Sequence, residues 1–148
     1  MKTEHVQIMM NSEKTLQLGR TYMIDAQQCE VKSDYIAAEG IYHICCDIFS
    51  GLMEQDSLYE NEAKGEYMHT LFRYAMLPQI GEQEKMQYLE QAHRLAAELE
   101  RTTDDMEYTI AVGCIEEEMK ERRKAAKAQG SRKAAPGADG KMSAASAE

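Results

Sequence analysis

The sequence has no tryptophan, only two prolines, at Pro78 and Pro136, and no long stretch in which apolar and polar residues alternate. The scarcity of proline leaves long segments free to form helix, and the missing alternation argues against a sheet with one buried face. Ala, Glu, Met, Gln, Lys and Leu are frequent instead. Together these features predict an all-α chain whose 148 residues suffice for one domain with a core.

Cysteine is also scarce, and none of the four cysteines belongs to a Cys-x-x-Cys motif. Cys45 and Cys46 are adjacent on a predicted helix, where their side chains diverge by about 100° and cannot readily bridge. Three of the four have apolar neighbours, so we expect buried, reduced thiols in a cytosolic protein. The N-terminal residues lack the apolar core of a signal peptide, and the longest nearly apolar run, Tyr108–Ile115, is too short to span a bilayer. We therefore expect neither export nor membrane anchoring.

Positive charge is rare in most of the chain. Residues 1–119 contain 9 Lys and Arg against 23 Asp and Glu, a net charge of −14, whereas residues 120–148 carry a net charge of +5. An acidic body disfavours nucleic acid and anionic membrane as partners. It favours solubility or, alternatively, offers a surface to a basic partner.

Apolar residues recur at spacings of three and four in five segments, which predicts five helices. They cover about residues 12–29, 33–51, 57–77, 82–100, and from about 103 past Met119. In an alternative, the first helix extends back towards Glu4. The short links between them favour an up-down array of antiparallel helices. Residues 1–128 form the predicted helical domain. Small and polar residues dominate residues 129–148, which predicts a disordered C-terminal tail.

The last helix is apolar around most of its circumference between Tyr108 and Ile115. Only one of its two apolar stripes can pack on the fourth helix, so the other needs a cover. We therefore expect an interface, either with a second copy of the chain or with another protein. In the alternative, residues 1–11 fold back over this helix. The two candidate stripes contain Tyr108, Val112, Ile115 and Met119 in one case, and Ile110 and Cys114 in the other.

Three glycines recur inside helical segments, Gly19, Gly65 and Gly113, at spacings of 46 and 48 residues. Glycine in a helix interior costs about 1 kcal/mol relative to alanine. Its repeated use at one period predicts positions where a neighbouring helix comes too close for a side chain, as in stacked helix pairs.

The residues around the first glycine extend this pattern to Leu18-Gly19-x-x-Tyr22, followed by Ala38-x-x-x-Tyr42-x-x-Cys45. This arrangement resembles the tetratricopeptide repeat, and weaker copies follow to about residue 119. The period here is longer than the family's, and the proline that commonly ends a family repeat is absent. The resemblance implies a scaffold, without a cofactor, whose groove takes a peptide or helix of a partner protein.

Two Glu-x-x-His patterns support a different hypothesis, a metal-binding helical bundle. They comprise Glu66 with His69 and Glu90 with His93. With 19 glutamates in the chain, one such pattern is expected about half the time by chance, so solvated glutamates and half-buried histidines are the preferred interpretation. We find no phosphate-binding loop, nucleophile elbow or other catalytic motif, which favours a binding protein over an enzyme.

Overall fold

The computed structural model describes the backbone of residues 2–55 and 57–134, and the side chains of residues 11–55 and 58–130. Within these ranges the chain forms five α-helices and no strand, which confirms the predicted all-α array. The helices are α1 (Lys2–Val31), α2 (Tyr35–Gln55), α3 (Glu60–Ala75), α4 (Glu82–Thr102) and α5 (Met106–Ala134), with a single 3₁₀ turn at Ser57–Tyr59 before α3.

The turn between α1 and α2 shows why the two helices separate where they do. Ser33 has a φ of 61°, and its N–H donates to the carbonyl of Glu30 while the N–H of Asp34 donates to that of Cys29. This is the Schellman pattern that closes a helix. Asp34 then caps α2, because its side chain accepts the N–H of Ala37 at 3.2 Å. The second helix was predicted from Ser33 or Asp34, but Ser33 belongs to the end of α1.

Consecutive helices pack antiparallel, as the side-chain pairs between them demonstrate. Tyr67 meets Gln91 across α3 and α4, and Tyr74 meets Tyr88 closer to the connecting loop. The short connections force this arrangement. Side chains of α3 also reach α1 on one side and α5 on the other. The odd-numbered helices therefore lie side by side along one side of the array.

The core consists of two adjoining apolar clusters. The first joins α1 and α2 to α3, with Tyr42 and Phe49 of α2 fully buried at its centre. The second joins α3 and α4 to α5. Because Tyr67, Tyr88 and Met53 touch both clusters, the array forms one continuous core.

The helices at the two ends of the chain are long. α1 continues without a break from Lys2, so residues 2–11 extend its axis and do not turn back over the last helix. α5 continues to Ala134, so the helix includes the first residues of the segment predicted as a tail. Alanine, lysine and arginine in this segment favour helix, and that outweighs Gly130. The remainder of the predicted tail, residues 135–148, lies outside the described residues.

Among the described residues one helix, α2, has the length and apolar composition of a membrane span. Five of its side chains are buried against the neighbouring helices: Ala38, Tyr42, Cys45, Phe49 and Leu52. The hydrophobicity of α2 thus matches its place in the middle of the core.

The three repeated glycines lie in different surroundings. A Cβ added to Gly19 would come within 3 Å of the Phe49 ring on α2, and one added to Gly65 would come within 3 Å of the Tyr108 hydroxyl on α5. Gly113 is exposed, and an added Cβ there would meet no described atom within 4 Å. The structure therefore places Gly19 against the neighbouring helix α2 and Gly65 against the end of the Tyr108 side chain, whereas Gly113 has no neighbour among the described residues.

Candidate functional site: the groove between α3 and α5

The two apolar stripes of α5 have different surroundings. Ile115 is 1% exposed and Met119 is 7% exposed, and both belong to the core with α3 and α4. Tyr108 and Val112 are half-buried against the same cluster. These four residues were expected to contribute to an interface. The packing of α5 onto α3 and α4 covers Ile115 and Met119, whereas Tyr108 and Val112 keep part of their surface exposed.

The second stripe lines a groove. Ile110, which is 62% exposed, and the exposed Cys114 lie on the side of α5 that turns towards α3. The facing wall is formed by Met68 and Phe72 of α3. The groove has a volume of about 240 Å³, and Ala111 and Ile115 form the rest of its apolar lining. This open apolar surface contains Ile110 and Cys114, the stripe of the last helix that was expected to need a covering partner.

Charged groups lie along one edge of the groove. His69 of α3 and Glu107 of α5 meet across it at 2.8 Å between Nε2 and Oε2. Glu107 also lies beside Tyr108, whose pKa is raised by burial and by the carboxylates of Glu107 and Asp105. The groove thus combines an apolar floor with an acidic edge.

A second hollow lies on the other side of His69, between α3 and α1. Arg20 of α1 donates from Nε to Glu66 at 2.6 Å, and its Nη2 lies 3.4 Å from Glu62. The hydrogen bond to Glu66 raises the pKa of Arg20. Ile24, 56% exposed, lines this hollow. His69 therefore stands between two hollows on the side formed by the odd-numbered helices.

The residues of the metal hypothesis are not brought together. Glu66 pairs with Arg20, and His69 pairs with Glu107. His93 of α4 pairs with Glu116 of α5 at 2.9 Å. Within the described ranges no group of three or more His, Cys, Asp or Glu side chains is placed to hold a metal ion. Each Glu-x-x-His histidine instead ties its own helix to α5.

The cysteines were expected to be buried thiols, and for Cys114 this is wrong. Its side chain is exposed in the groove, where no helix of the described residues covers this face of α5. Cys45 is buried and Cys46 half-buried. Burial raises the pKa of both thiols to about 12 from an ordinary value of 9.0. These two side chains serve as core residues.

Sequence reasoning did not find the α3 wall of the groove. Met68 and Phe72 follow Gly65 at helical spacing, and an apolar stripe of this kind predicts residues that fill the core. Met68 is indeed 1% exposed, whereas Phe72 is only half-buried. The sequence feature that indicated a groove was the second apolar stripe of α5, which needed a cover. That feature did not indicate which helix would form the opposite wall.

Comparison with known proteins gives no relative from which a function could be carried over: no protein-family model matches the chain, and neither curated proteins nor solved structures give a significant match.

Proposed function

We propose that the protein is an interaction scaffold whose α3–α5 groove binds an amphipathic helix of a partner protein. The observation that carries this proposal is the exposed apolar lining of the groove, with Ile110 at its outer edge. Soluble proteins rarely leave such a surface open unless it binds something. The tetratricopeptide resemblance supports the same kind of function.

The shape of the groove favours a helical occupant. α3 and α5 run in the same direction on one side of the array, and the groove between them follows α5 from Glu107 to Ile115, about 12 Å along the helix. Helix-in-groove recognition places apolar side chains at i, i+3 or i+4, and i+7 along such a channel. Phe72 and Ile110 provide apolar walls for these anchors on opposite sides.

The charge of the surroundings favours a basic flank on the occupant. Glu107 stands at the groove with 55% of its side chain exposed, and Glu62 and Glu66 follow on the same side of the array. Residues 1–119 as a whole carry a net charge of −14. Such a field accelerates the approach of a positively charged segment and disfavours an acidic one.

A displayed library of random peptides, selected on the full-length protein, tests this function. We expect the selected peptides to be amphipathic as helices, with lysine or arginine beside the apolar anchors. They should lose binding to an Ile110→Asp variant, in which a charge stands in the apolar wall. An Ile44→Asp variant is the matched control, because Ile44 is an exposed isoleucine on α2, away from the groove.

The proposal fails if no peptide is enriched over an unrelated protein. It also fails if the enriched peptides are acidic, or if they bind the parent and the Ile110→Asp variant equally. Circular dichroism of both aspartate variants establishes that the helices are intact.

A further inference from the structure

We propose that the outward face of α5 binds the same face of a second copy, antiparallel, with Gly113 at the crossing point. Gly113 lies two residues before the buried Ile115, which is about 200° round the helix. Gly113 is therefore on the side of α5 that faces away from the core. The interface therefore lies next to the groove but does not require it, and the inference is independent of the proposed function.

The first support is the exposure of this face. Met106 lies on the same face of α5 as Gly113, and it is 69% exposed. Glycine is among the poorest helix formers, and within the described chain no atom would contact a Cβ at position 113. A second helix crossing at this point would use the missing side chain to approach closely. Gly40 is equally open on α2, so the glycine alone does not identify the partner.

The charge order along α5 identifies the partner as a second copy. Asp104 and Asp105 stand directly before the first residue of α5, and both are exposed and negatively charged. Residues 120–127 contain five Lys and Arg and one Glu, a net charge of +4. Two copies crossing antiparallel at Gly113 bring the acidic end of each helix to the basic end of the other.

The acidic residues and the basic residues lie at similar distances from Gly113 along the helix axis. Gly113 is eight residues from Asp105 and seven from Lys120, which correspond to about 12 Å and about 10 Å along a helix. A two-fold axis through Gly113 therefore places Asp105 of one copy close to the Lys120–Lys124 segment of the other. Such a contact is closed and self-complementary, as in most homodimers.

The basic end of α5 is available for this contact. Arg122 is held within the chain by Glu118 at 3.0 Å and by Glu82 at 3.6 Å. The other four cations of the segment are exposed, and none has a carboxylate within 4 Å among the described side chains: Lys120, Arg123, Lys124 and Lys127. In a strongly acidic protein, four such cations on one helix end fit an acidic partner surface.

Light scattering of the full-length protein is the first test, and we expect twice the chain mass of 16.8 kDa. Gly113→Leu should yield the single-chain mass while its circular dichroism shows intact helices, since leucine favours helix at an exposed site. Gly40→Leu, at an equally open glycine, should leave the dimer intact. A monomeric parent, or a dimer that survives Gly113→Leu, would overturn the inference.

Charge reversal gives a test of the antiparallel order. One variant carries Asp104→Lys and Asp105→Lys, and the other carries Lys120→Glu and Lys124→Glu. Each alone brings like charges together at both ends of the crossing and should be monomeric. Their mixture restores both attractions and should form a one-to-one heterodimer. A mixture that stays monomeric, or variants that remain dimeric alone, would contradict the antiparallel arrangement.

Discussion

Gly19 of α1 lies against the ring of Phe49 on α2, so closely that an added Cβ would stand 2.5 Å from Cε1 and 2.6 Å from Cζ. Ile48 closes the same site with its Cγ2 at 3.1 Å. Phe49 is fully buried in the core that joins α1, α2 and α3. The first helix pair therefore depends on the absence of a side chain at position 19.

We expect Gly19→Leu to lower the free energy of unfolding by about 1–3 kcal/mol, because overpacking forces Phe49 off its position. Urea denaturation followed by circular dichroism measures this change. Gly40→Leu is the control, since its side chain would enter open space. If both leucine variants unfold like the parent, the close approach at Gly19 contributes nothing to stability.

Gly65 and Tyr108 should be energetically coupled. A Cβ at position 65 would lie 2.6 Å from the Tyr108 hydroxyl, which Tyr108→Phe removes. Gly65→Ala should thus be less favourable in the parent than in the Tyr108→Phe background. A double-mutant cycle in urea should give a coupling of about 0.5–3 kcal/mol. Additive effects would show that the tyrosine moves aside without cost.

Stability should fall in alkaline solution because of Cys45 and Cys46. Their folded-state pKa is about 12 against 9.0 for an ordinary thiol, so the unfolded chain releases these protons first. The stabilisation is complete below pH 9.0 and is lost between pH 9.0 and about 12, by up to about 1.4 kcal/mol per pH unit for each thiol. Urea midpoints across this range measure the slope.

Cys45→Ala isolates one part of that slope. Its absolute stability should be lower because a buried side chain is shortened, but its loss of stability above pH 9.0 should be shallower than in the parent. An unchanged slope would mean that Cys45 does not retain its proton in the folded state.

Ile115 and Ile110 allow the two sides of α5 to be compared. Ile115→Ala should cost about 2–5 kcal/mol, because it empties a buried site between helices. Ile110→Ala, at a residue that is 62% exposed, should change stability by less than about 0.5 kcal/mol. Equal losses in thermal or urea unfolding would mean that the groove wall is buried in solution.

The sequence alone determined the helices and their order, because helical periodicity and short connections are local properties. It also determined the stripes that pack inward, such as the one with Leu16 and Ala26 on α1. On α5 the two apolar stripes were visible, but periodicity could not decide which of them faces the core.

Only the tertiary structure decided the functions of equivalent residues. Gly19, Gly65 and Gly113 all lie inside predicted helices, yet a helix covers the first, a single tyrosine covers the second, and no described atom covers the third. Likewise, whether Glu66 and His69 bind a metal or pair with Arg20 and Glu107 depends on which helix lies opposite. These outcomes depend on contacts between residues far apart in the chain, and a spacing pattern within one helix does not contain that information.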